Sequence, residues 1–136
     1  MKRTLIVVIA ILGAVPVATG LLAIIGGPGA APGGEPTNAS VDSEYRFVNT
    51  FWLAAGLTLW WSLRKPLERA LTTRVVLLVA SLGGFARLLS VAITGWPHPV
   101  FIGTIVLELV IVPLIVLWHA RVFPVKPTES ASTPTP

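Results

Sequence analysis

Four apolar runs, at about residues 5–25, 44–63, 75–94 and 100–120, alternate with short polar or Gly/Pro-rich stretches. Each comes close to the ~20 residues that a helix needs to cross a hydrocarbon layer ~30 Å thick. The pattern predicts an all-α fold: an integral membrane four-helix bundle, antiparallel and up-down, because connections this short join neighbouring helices. Residues 1–123 form one membrane domain in this reading. Residues 124–136 are rich in Pro, Ser and Thr and read as a disordered cytoplasmic tail.

Two polar positions interrupt the last two runs. Arg87 lies about seven residues before the turn Gly95-Trp96-Pro97-His98-Pro99, and Glu108 lies about eight residues after it. At ~1.5 Å per residue both reach ~10–12 Å below the same membrane face. A lone charge at that depth costs roughly 2.5–3.5 kcal/mol on insertion scales, so two opposite charges at one depth on adjacent helices are expected to pair. Around Arg87, Gly83, Ser90 and Thr94 share its helical face at i, i+4, i+7 and i+11 spacing. On the fourth run Thr104 lies one turn from Glu108, and Pro113 deprives the Leu109 carbonyl of its usual helical donor.

The first run opens after Lys2 and Arg3 and continues through Pro16, where a kink is expected. It is longer than the ~7–15 residues of a signal-peptide core, so it reads as a retained span. Ala10, Gly13, Val17 and Gly20 lie on one flank and permit close helix contact. The stretch 26–40 is a Gly/Pro/Ala loop, with Ser40 or Asp42 as the expected N-cap of the second helix. Arg46, Asn49 and Thr50 carry a polar stripe into that helix, and Trp60 with Trp61 marks its far interface.

Charge sets the expected orientation. Arg64, Lys65, Arg69 and Arg74 crowd the middle connection, with Arg121 and Lys126 after the last run, which predicts both termini and that connection on the cytoplasmic side. Composition narrows the class further. The chain of 136 residues is 54% hydrophobic and 12% charged, with a mean hydropathy of +0.81, against the ~25% charged residues of ordinary soluble domains. Cysteine is absent, which removes dithiol redox chemistry and thiolate metal sites. The net charge of +4 is spread over loops and forms no nucleic-acid face. No His/Asp/Glu set has metal-ligand spacing, and no cofactor is expected.

The segments Glu44-Tyr45-Arg46-Phe47 with Trp52, Gly83-Gly84-Phe85-Ala86-Arg87-Leu88 with Ser90, the Gly95-Trp96-Pro97-His98-Pro99 turn, and Glu108 with Pro113 and Trp118 resemble an uncharacterised bacterial family of four-transmembrane-helix proteins, domain of unknown function 4345. That resemblance covers the chain except its tail and implies a bacterial inner-membrane location. It extends loosely to DoxX-like proteins, some of which are subunits of membrane redox systems.

Glu44, Arg46, Asn49, Trp52, Arg87, Ser90, His98 and Glu108 are the candidate ligand-binding residues, expected to converge in the outer half of the bundle with apolar walls from Phe47, Leu88 and Phe101. The leading reading is a non-enzymatic protein of the plasma membrane that binds a lipid or quinone, or serves as an accessory subunit. Its partners are then the bilayer, that ligand, and a second copy or a membrane-complex subunit. The alternatives are a proton-coupled transporter or channel component in which Glu108 cycles its proton, a membrane enzyme using Glu108 or His98 as acid or base, and a purely structural protein whose ion pair sets helix register.

Overall fold

The computed structural model describes residues 1–125. Most of the expected tail, with Lys126, lies outside them. The described chain is helical throughout: α1 (Lys2–Gly26), α2 (Ala39–Leu63), α3 (Ala70–Thr94) and α4 (Pro99–Val122), with a 3-10 turn at Pro28–Ala30. Three of these helices, α1, α3 and α4, are long and apolar enough to cross a membrane. The fourth, α2, has 25 residues but carries Asp42, Glu44, Arg46 and Asn49 in its first half.

The helices end where backbone chemistry stops them. Gly27 and Gly95 take positive φ of 67° and 92°, and their N–H groups close the last turns onto Ala23 and Val91. Pro99 opens α4, where its missing N–H costs nothing, and His98 Nδ1 accepts from Val100 N at 3.3 Å. The N-cap of α2 is Asn38, whose Oδ1 accepts from Val41 N at 3.0 Å, and not Ser40 or Asp42; both of those lie inside the first turn. At Pro16 α1 continues without interruption, its ring buried against α2.

Contacts between helices show an antiparallel order. Arg46 near the start of α2 reaches the end of α1, and Trp60 near its finish donates from Nε1 to Ala10 O at 2.8 Å. Ser62 and Thr73 hydroxyls meet at 2.8 Å, joining α2 to α3. The stretch 27–38 and the turn 95–98 share one end of the bundle, where a side chain on Gly33 would touch His98; the linker 64–69 lies at the other.

Burial is inverted relative to a soluble domain. Small and polar groups line the interior, including Gly13, Gly20, Gly56, Ser62, Thr73 and Ser81, while Phe51, Leu82, Phe85, Leu89 and Ile93 are each more than 60% exposed. Close contact of small residues brings the helices together, and the large apolar side chains are left on the outer surface. Glycine sets the α1–α2 distance: a Cβ on Gly56 would stand 2.7 Å from Gly13 O and from Val17 Cγ2, and one on Gly20 would stand 3.0 Å from Leu53 N. A core of Leu5, Ile9, Leu59, Leu77, Val112 and Ile115 fills the linker half.

Candidate ligand site on the α3–α4 seam

On α3 the buried positions are Ala70, Thr73, Leu77, Ser81 and Gly84; on α4 they are Ile105, Glu108, Val112, Ile115 and His119. Steps of three or four on both helices make each set one continuous stripe, and the two stripes meet along the seam. Gly84 is what lets them close, since a Cβ there would stand 2.8 Å from Leu109 Cγ and 3.0 Å from Glu108 Cβ.

Glu108 sits in a π turn, Leu107–Ile111, inside α4. Val112 N bonds Leu107 O, one residue further back than in an α-helix. Since residue 113 is proline and has no N–H, the carbonyls of Glu108 and Leu109 both lose their regular donors. The wider turn carries the Glu108 carboxylate onto the α3 side, where Arg87 Nε donates to Oε2 at 3.0 Å. The Glu108 side chain is nearly buried, at 8% exposure, whereas that of Arg87 is 38% exposed.

That asymmetry defines the site. Among the described residues Arg87 donates only through Nε, so both Nη groups of its fork have no protein acceptor. Arg87 also lines a cavity of about 140 Å³, with Ser90, Pro97, Phe101 and Ile105. The Phe101 ring stands 5.4 Å from Arg87 Cζ and supplies a flat wall. At ~30 Å³ per water the space equals four or five waters, enough for a small ring or head group.

The structure corrects the expected convergence, dividing the candidate residues between separate places. Arg87, Ser90 and Glu108 stay together at this centre. Ser90 Oγ also lies 3.3 Å from Thr94 Oγ1, which donates to Ser90 O at 2.8 Å. Arg46 is spent elsewhere: Nε donates to Asp42 Oδ2 at 2.7 Å and Nη2 to Asp42 Oδ1 at 3.2 Å, while Nη1 donates to Ile24 O at 2.6 Å and Ile25 O at 3.0 Å. It thereby caps the negative end of α1. Its hydrogen bond holds the Asp42 carboxyl below the ordinary carboxylate range. Asn49 Nδ2 bonds Tyr45 O at 2.8 Å, Trp52 Nε1 bonds Thr19 Oγ1 at 3.0 Å, Glu44 is exposed, and His98 caps α4 beside Gly33. Helix-face counting had aligned these groups by depth. Facing the α1 end, the Arg46 fork finds bare carbonyls nearer than any partner on α3.

A second polar group, missed in the sequence, occupies the linker half of the same seam. His119 is completely buried; its Nδ1 accepts from Arg74 Nε at 3.4 Å, and Arg74 Nη2 donates to Phe123 O. His119 Nε2 and Ser81 Oγ are buried without a partner among the described residues. The signal was legible: His119 lies eleven residues after Glu108, on the same face. Among the described residues no group of three or more His, Cys, Asp or Glu side chains could hold a metal ion.

Comparison with known proteins supplies membership without an activity. The chain belongs to the family described as domain of unknown function DUF4345, whose model matches residues 4–119. No curated protein and no solved structure matches the chain.

Proposed function

Starting from that membership, we propose that the protein is a multi-pass component of the bacterial inner membrane, with four spans and cytoplasmic termini, that binds a lipid- or quinone-type ligand at Arg87 and Glu108. It acts as a ligand-binding or accessory subunit and not as an enzyme. The observation that carries this reading is the unspent guanidinium fork of Arg87, held at the rim of a cavity beside a buried carboxylate. A ligand carbonyl in the cavity would give those Nη donors an acceptor.

Electrostatics favours an uncharged head. Glu108 neutralises Arg87, and a phosphate placed at the fork would face that carboxylate at close range. A quinone ring offers carbonyl acceptors for the fork and a flat face for Phe101. Orientation follows from the linker charges Arg64, Lys65 and Arg69, which favour the cytoplasmic side.

Native mass spectrometry from mild detergent, with a short-tailed quinone added, tests the reading. Wild type is expected to retain the quinone and Arg87→Gln to lose it, with unchanged helical circular dichroism. Retention by a folded Arg87→Gln protein would overturn it.

A further inference from the structure

The cavity beside Arg87 has room for a head group and none for a long tail, so a membrane amphiphile bound there must lead its tail away. A second concavity, of about 290 Å³, lies between α2 and α3 and is lined by apolar side chains, among them Phe51, Trp52 and Ala55 on α2 and Val76 and Ala80 on α3. Building on the proposed head site, we infer that the ligand tail passes Gly83 and lies in this α2–α3 groove, so that the protein takes a single-tailed isoprenoid quinone and not a two-chain phospholipid.

Three observations support the route. Val76, Ala80, Gly83 and Arg87 fall at i, i+4, i+7 and i+11, one continuous face of α3, so groove and head site are the two ends of one strip. The strip is open at its middle. A Cβ on Gly83 would meet only Glu108 Oε2, at 3.9 Å, whereas one on Gly84 would collide with Leu109. Two successive glycines therefore have different uses: Gly84 closes the helix pair, and Gly83 leaves a gap beside the carboxylate. Trp52 forms a fixed wall, its Nε1 held by Thr19 Oγ1 at 3.0 Å across α1–α2.

Length and polarity agree with one chain. From Arg87 to Val76 the strip runs ~16 Å along the helix, the reach of two or three isoprene units, and it passes from a guanidinium to bare methyl groups. Two acyl chains from one phospholipid would need a second groove at the same head site. The cavity there is bounded by Pro97, Phe101 and Ile105.

Binding of quinones that share one ring and carry no tail, a ten-carbon tail or an isoprenoid tail separates this inference from the head-site reading. The assay is native mass spectrometry and Trp fluorescence quenching on the detergent-solubilised full chain. Wild type is expected to bind the tailed compounds about tenfold or more tightly than the tailless one, since each buried methylene adds affinity. Gly83→Leu and, from the opposite wall, Ala55→Phe are expected to abolish that advantage, and Ala55→Phe, at the far end of the groove from Arg87 and Glu108, is expected to leave tailless binding unchanged. Leu114→Phe, a bulky change at an exposed α4 position, should keep it. Equal affinity for tailed and tailless quinones in wild type, or a chain-length advantage that survives in both groove variants, would overturn the inference and leave the head site standing. Wild type that binds no quinone, or only phospholipid, would overturn both.

Discussion

Arg46 and Arg87 occupy matching places, each within about two turns of the bundle end that carries the 27–38 and 95–98 connections. Their exposures are the same, 38% for each side chain, but their bonding is not. Arg46 spends Nε and both Nη atoms on Asp42 and on the last carbonyls of α1. Among the described residues Arg87 spends Nε alone, and it lines a cavity. Exposure and residue type therefore do not distinguish the two; their bonding partners do. The helix pairs differ in the same sense. Glycines seat α1 against α2 almost without space, while the α3–α4 seam contains a π turn and, among the described residues, the buried Ser81 Oγ and His119 Nε2 without a partner.

The comparison breaks most readily at the closed pair. Gly56→Leu would press a side chain into the Gly13 carbonyl and Val17, backbone that cannot give way, and is expected to destabilise by ~3 kcal/mol or more. Thermal unfolding in detergent checks this, and an unchanged midpoint would show that α1 and α2 are not seated on glycine. At the open pair Arg87→Ala strands the Glu108 carboxylate. We expect a loss of ~2 kcal/mol, below the ~3–5 of a wholly buried pair because the arginine is partly exposed. Combining Arg87→Gln with Glu108→Gln should recover most of that stability without recovering ligand, which separates fold from binding. A double variant as unstable as the single one would make the pair a fastening like Arg46.

The smallest expected effect is at Asp42. Its folded carboxyl titrates below the ordinary value because Arg46 bonds it, so its contribution is present above the ordinary carboxylate pKa of ~3.9 and is lost as pH falls through the lower folded value. The α1–α2 clasp should be indifferent to pH between about 5 and 8 and loosen only below about pH 4. Asp42→Asn should remove that acid dependence. A midpoint that shifts equally with acid in both proteins would assign the effect to another carboxyl.

Much of the site could be read from residue order. Arg87 and Glu108 meet because they are nearly equidistant from one short turn, and equal spacing from a turn means equal depth on antiparallel helices. Pro113 announced a disturbed carbonyl, although not the π turn that frees a second one at Glu108. Arg46, Asn49 and Trp52, expected beside Arg87, bond α1 or their own helix instead. Depth follows from counting along one helix, whereas the neighbour depends on how helices rotate about their axes. His119 is buried because it shares the inward face of α4 with Glu108, a spacing that the sequence already carried.

Although α2 and α3 each begin five residues before the apolar runs that announced them, local chemistry alone was enough for the all-helical order, the glycines that end α1 and α3, the proline that opens α4, and the meeting of one acid with one base. These follow from backbone hydrogen bonding and the cost of charge in hydrocarbon, which act residue by residue. Tertiary packing decided which arginine is consumed as a cap, which keeps a free fork, and that Gly83 opens a gap where Gly84 seals one. Those outcomes depend on the azimuth of each helix, set by how small residues on two different helices fit together, and no single segment encodes both sides of that fit.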